Sequence, residues 1–226
     1  MYETRHQFRE DLREIEGQML GGIDLVLVQF DRALESLIKR DVELAGKVVA
    51  ADVRVDRRYL EVHQGVILLL ARQTPVAGDL RLVAALFHVI RCIERMGDQC
   101  ANIAKLVPLS SGDVRRDGEL VAEIERMAKL VRQQLADAKE VFKTRHVSLA
   151  KYLIAEDVGI GRLNRAICTR AVEIGEDSDV REWAMFMILV ARALERISDN
   201  ALDIAEQTVF VVTGLFGESV DVSHPT

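Results

Sequence analysis

The chain has 226 residues, a formal charge of −6 and a pI near 5.5, with 49% hydrophobic and only 5% aromatic residues. At about 100–200 residues per domain, that length allows one sizeable core or two small ones. The acidic balance, with no basic stripe, excludes a protein that tracks nucleic-acid phosphates, and three prolines among abundant Ala, Leu, Val, Glu and Arg favour helices over sheets.

Apolar residues at 8, 12, 15, 19, 23, 26, 30, 34 and 37 step by three or four, which predicts one long amphipathic helix. A second stripe through Leu44, Val48, Ala51, Val55, Tyr59, Val62, Val66 and Leu69 predicts another. Pro75 and Gly78 in "QTPVAG" then interrupt the chain. Asp79 reads as the N-cap of a third helix ending near Leu106, before the turn signal "PLSSGD" at 108–113. Leu120, Ile124, Met127, Val131 and Leu135 mark a fourth helix, and a fifth spans about 147–173. After "GEDSD", Asp179 and Glu182 have capping-box spacing for a sixth, which Gly214 is placed to end.

The longest apolar runs, "GVILLLA" (65–71) and "AMFMILVA" (184–191), fall far short of the roughly 18 residues of a membrane span. The charged start "MYETRHQFRED" lacks the apolar region of a signal peptide. A cytoplasmic protein is expected, without a membrane span, any membrane association being peripheral and through partners. Cys92, Cys100 and Cys168 show no CxxC or CxxxH spacing and read as small core residues.

The second half repeats the first. "RDVELAGKVVAADVRVDR" (40–57) aligns with "RHVSLAKYLIAEDVGIGR" (145–162), and "VIRCIERMGDQCANIA" (89–104) with "VARALERISDNALDIA" (190–205). Identical Glu, Arg and Asp at positions outside the apolar stripes argue for duplication rather than shared helical composition. The expected fold is all-α: two tandem pseudo-symmetric three-helix bundles built from six long antiparallel helices. The domains are expected at 1–110 and 111–226, with 1–106 matching 113–214.

Each half carries one row of oxygen-bearing side chains: Glu94, Asp98 and Asn102, then Glu195, Asp199 and Asp203. At about 100° per residue such spacing forms a stripe bordering the apolar face. Carboxylates at i,i+4 repel and weaken a helix, yet the row stands at the same place in both halves, with Arg91, Arg95 and Gln99 beside the first. The bland alternative is a solvated face neutralised by arginine. An all-oxygen donor set instead suits hard cations such as magnesium, manganese, calcium or iron better than a Cys/His zinc site does. Successive Cβ atoms are about 5–6 Å apart, too far for one small ion to take all three donors from one helix. A multinuclear cluster or ligands from a neighbouring helix follow, and the matched acids Asp52 and Asp157 are the first helpers to consider.

Catalytic signatures are missing: GxSxG, GxxxxGK[ST] and GxGxxG do not occur. The one Glu-x-x-His spacing, Glu3 to His6, has no second copy of the kind a ferritin-like di-iron site requires. His63, His88 and His146 are scattered and read as structural or surface residues. No enzyme activity is expected.

The segments "QTPVAGDLRLV" (73–83), "IERMGDQCANIA" (93–104) and "LERISDNALDIAE" (194–206), on the duplicated three-helix plan, resemble the PhoU family of bacterial phosphate-uptake regulators over nearly the whole chain. The resemblance implies surface metal clusters of divalent or trivalent ions (iron, zinc, manganese or magnesium), held in the two halves by Glu94, Asp98, Asn102 and by Glu195, Asp199, Asp203. It implies an adaptor that represses phosphate uptake and the phosphate-starvation response with the ATPase subunit of the Pst phosphate ABC transporter and a sensor histidine kinase. Ser198 departs from the pattern where the first motif has Gly97, and "GEDSDVREW" keeps only Asp179 and Arg181 of the turn motif. The alternatives are a carboxylate-bridged metalloenzyme and a metal-free helical scaffold. A homodimer is expected from the apolar end "TVFVVTGLF" (208–216).

Overall fold

A computed structural model describes residues 2–110, 116–155, 158–174 and 177–215. They form α1 (Tyr2–Lys39), α2 (Val42–Ala51), α3 (Val53–Arg72), α4 (Ala77–Ser110), α5 (Gly118–Thr144), α6 (Val147–Ala155), α7 (Val158–Ile174) and α8 (Ser178–Thr213). No strand occurs among the described residues. The first four helices pack together as one bundle and the last four as a second.

One of the six expected helices is split, at Asp52. The α2–α3 join is the single residue Asp52, which keeps helical dihedrals (φ −58°, ψ −35°) while its carbonyl accepts from Val55 N at 2.8 Å, one residue tighter than an α-helical bond. No proline or glycine sits at this join, so the apolar stripe through Val48, Val55, Val62 and Val66 continues buried across it. In the second half α6 and α7 flank residues 156–157, which lie outside the described residues, so the expected helper Asp157 has no structural account.

Helix ends repeat as well, with exchanged chemistry. Arg40 and Arg145 each follow a long helix in the left-handed region, at φ 56° and 58°. The next residue then caps a short helix: the Asp41 carboxylate accepts from Leu44 N at 2.9 Å, and His146 Nδ1 accepts from Leu149 N at 3.1 Å. Gly214, at φ 79°, ends α8 as expected. Asp79 is not an N-cap. It lies in the first turn of α4, which starts at Ala77 and runs past Leu106 and through Pro108 to Ser110. The side chain of Asp179 lies outside the described residues.

The two bundles meet along two seams. The antiparallel pair α4·α8 is the most extensive helix contact, with Arg81 Nε near the start of α4 donating to the Val211 carbonyl near the end of α8 at 3.1 Å. The main apolar core draws on both bundles, from Phe8 to Ile204. The α1·α5 seam is polar: Arg132 forks onto Asp31 at 2.6 and 2.9 Å, Lys139 meets Asp24 at 2.5 Å, and Arg145 meets Glu16 at 2.5 Å. The Arg132–Asp31 pair is exposed and worth about 0–1 kcal/mol, the Lys139–Asp24 pair has an exposed carboxylate, and the Arg145–Glu16 pair is half-buried.

One capping site makes a pH-dependent prediction. The Asp117 carboxylate accepts from Leu120 N at 2.8 Å and from Arg170 Nη2 at 2.9 Å. Arg170, foremost, holds its pKa below the usual aspartate value. A folded-state pKa below the unfolded one means that the stabilisation is full above the ordinary aspartate range. It disappears as pH falls through the depressed value. Asp117→Asn should therefore melt below wild type near neutrality, with a gap that closes in acid. Thermal melts across that window check the sign.

Candidate metal-binding rows

The first row lies on α4 beside the α2–α3 join. Glu94 is partly buried, while Asp98 and Asn102 face solvent. The stripe thus borders the core without entering it. Gly97, one position before Asp98, is buried and lets the join come close: a Cβ there would stand 3.0 Å from Val55 Cγ1 and 3.2 Å from Asp52 Oδ1. The Asp52 carboxylate therefore sits against the first row, where Gln29 Nε2 of α1 donates to it at 2.9 Å.

Asp56, one turn further along α3, joins the same group. Burial first, then the charges of Asp52 and Asp98, raise its pKa above the ordinary aspartate value. Burial likewise raises Glu94, partly offset by Arg91 and reinforced by Asp98 and Asp56. Arg91 stands 3.8 Å from Glu94 Oε2 but is shared with the Tyr59 ring, 5.9 Å away. Four carboxylates on two helices thus feel one another's charge. Gln29 Oε1 is buried beside them without a hydrogen-bond partner, and a buried acceptor left unmatched costs about 1–3 kcal/mol. Repelling acids next to an orphaned oxygen are the donor type a hard cation takes, and Asp52, Asp56, Glu94 and Asp98 could supply it.

The second row is built differently. Arg192 pairs with Glu195 at 2.7 Å, as Arg91 does with Glu94. At the place of Gly97, however, the buried Ser198 hydroxyl donates to Gln134 Oε1 at 2.5 Å, so the glutamine answering Gln29 is satisfied internally. Gly161 replaces Asp56. Asp199 is exposed. Asp203 approaches α4 of the first bundle, with Oδ2 3.9 Å from both His88 Nε2 and Cys92 Sγ.

Among the described residues, His88, Cys92 and Asp203 are the one set of three His, Cys, Asp or Glu side chains whose ligand atoms all lie within 4.8 Å of one another. The row carboxylates are more widely spread and would need to turn inward around an ion. Sequence reasoning did not find Asp56, whose position is not repeated, nor Gln29, whose offset of 105 from Gln134 was a usable signal. His88 and Cys92 share i,i+4 spacing on one helix, but only the folded chain brings Asp203 to them. Cys92 and Cys100 are buried as expected, whereas Cys168 is only half-buried, its thiol 3.8 Å from Asn164 Oδ1.

The repeat and the rows can be set against known proteins. The PhoU domain model matches residues 23–107 and 124–208, one copy in each bundle. A phosphate-specific transport system accessory protein PhoU homolog of Clostridium acetobutylicum is 29% identical over 214 residues, covering 93% of this chain and 96% of the relative. Two crystal structures are similar throughout. The phosphate transport system regulatory protein PhoU of Streptococcus pneumoniae gives a TM-score of 0.86 at 28% identity, over 93% of this chain and 99% of that one. PhoU of Pseudomonas aeruginosa gives 0.87 at 26%, over 92% and 100%. With a family domain matched in both bundles and full-length structural likeness, the chain belongs to the PhoU family.

Proposed function

We propose that this protein is a metal-binding signalling adaptor that represses phosphate uptake and the phosphate-starvation response. The observation that carries the metal part is the group of Asp52, Asp56, Glu94 and Asp98 beside the orphaned Gln29 Oε1. The regulatory part is supported by the relatives' names, which describe a phosphate-specific transport system accessory protein and a phosphate transport system regulatory protein. The first row is the better-supplied site, and Glu195, Asp199 and Asp203 form the second. Bound cations would neutralise the rows and stiffen the two bundle faces. Those faces would then be presented to the ATPase subunit of a phosphate ABC transporter and to a sensor histidine kinase. The adaptor would act in the cytoplasm, and among the described residues no helix is long and apolar enough to cross a membrane.

Self-association is part of the same reading, on a small footing. Thr208 and Val209 are buried within their own bundle, which leaves Val212 and Leu215 as the exposed apolar residues of that end, with Phe216 outside the described residues. Light scattering that shows one 25.3 kDa species at all concentrations would remove the dimer. The adaptor itself is tested in a phosphate-replete strain lacking the gene. A starvation reporter should be on, the wild-type chain should switch it off, and a pull-down should recover the transporter ATPase or the kinase. A reporter that stays off without the gene contradicts the role.

A further inference from the structure

The geometry points to a further cation site that shares Asp203 with the second row but differs from both rows in chemistry: His88 and Cys92 of α4 with Asp203 of α8, taking a borderline-soft divalent ion, zinc foremost. The three ligand atoms lie within 4.8 Å of one another, and Asp203 Oδ2 is 3.9 Å from both His88 Nε2 and Cys92 Sγ. In a tetrahedral zinc site the ligand atoms stand about 3.3–3.5 Å apart, from bond lengths near 2.0–2.3 Å. Closing the observed gaps therefore takes only small side-chain rotations. At 3.9 Å His88 Nε2 and Asp203 are beyond ordinary hydrogen-bond reach, and the Cys92 thiol makes only a long hydrogen bond to Asp203. The group holds three donors facing one point with little direct bonding among them.

The donor set differs from the rows in kind. Imidazole nitrogen, thiolate sulfur and carboxylate oxygen suit zinc and its neighbours, whereas magnesium and calcium prefer oxygen alone. The duplication supplies no second copy, because Leu189 and Ala193 occupy the positions matching His88 and Cys92. Glu206, one turn beyond Asp203, stands close enough for its charge to be felt. Burial and Asp203 raise its pKa, and His88 lowers it.

Burial explains why the thiol needs a metal to ionise. Cys92 is 1% exposed, and burial, aided by Asp203, pushes its pKa up to about 12. Zinc binding would exchange the Sγ–H bond for a zinc–sulfur bond and release the proton to solvent, so affinity should rise with pH. His88 and Asp203 are partly exposed and leave a path for the ion. Since α4 and α8 belong to different bundles, an ion here would clip the two halves together across their main seam.

Cobalt(II) titration of the full chain tests the site, because cobalt bound to thiolate gives an intense near-ultraviolet charge-transfer band that oxygen ligands do not. The wild type should develop this band and lose it when zinc is added. Cys100→Ser and Cys168→Ser should keep it, and Cys92→Ser should lose it. His88→Gln, at a half-exposed position where folding is not at stake, should weaken zinc binding by more than the roughly 10–100-fold expected for a supporting partner. No band in the wild type, or a band that survives in Cys92→Ser, overturns the site. Binding that depends on Asp98 but produces no such band would overturn it too, while leaving the oxygen-ligated rows intact.

Discussion

Gly97→Leu is expected to destabilise the protein by about 3 kcal/mol, as overpacking of a closed contact does. The Cβ alone would meet Val55 Cγ1 at 3.0 Å and Asp52 Oδ1 at 3.2 Å. Asp52 is the α2–α3 join and Val55 lies in the first turn of α3, so the added side chain must push that segment off α4 or strip Asp52 from Gln29. Gly97→Ala sets about 1 kcal/mol of helix propensity against the tight contact, and its sign depends on how far Val55 yields. Gly46 provides the control. A Cβ there meets nothing within 4 Å in the exposed face of α2, so Gly46→Ala should stabilise by about 0.5–1 kcal/mol. Urea denaturation separates the two. Equal, small effects would mean that the close approach at Gly97 is not a constraint.

Asp98→Ala should act with opposite signs in the absence and presence of metal. Without metal the substitution removes a charge that raises the pKa of both Glu94 and Asp56. It also replaces a poor helix former by the best one, so a gain of roughly 0.5–1 kcal/mol is expected. With metal at one hundred times its dissociation constant, the wild type gains about 2.7 kcal/mol from binding. The variant should lose most of that gain. If Arg91 and Arg95 merely neutralised a solvated face, Asp98→Ala would be slightly destabilised and metal would make no difference. Melts of both proteins with chelator and with manganese or iron distinguish these outcomes.

What could be read from the sequence follows from which interactions are local. Helices and their facing sides were legible because the 3.6-residue period is written along each segment, and the duplication because matched acids survive outside the apolar stripes. The join at Asp52 was not legible, since its helical dihedrals leave the stripe of Val48, Val55 and Val62 in phase. The start of α4 was misplaced by three residues because Asp79 is a good cap by type, while the left-handed Ala77, at φ 47°, carries no compositional mark. The rows were legible by their spacing. Their surroundings were not, for a reason of scale: Gln29 and Asp56 reach the first row through helix packing, and Asp203 meets His88 only once α4 and α8 lie antiparallel.

The most direct test of metal binding by the rows is elemental analysis of untagged protein equilibrated with magnesium, manganese, iron and zinc. Stoichiometric metal is predicted for the wild type, with the first-row share lost in Asp98→Ala and the second-row share lost in Asp199→Ala. A wild-type protein with no stoichiometric metal, or one whose content is unchanged by both substitutions, would contradict the assignment.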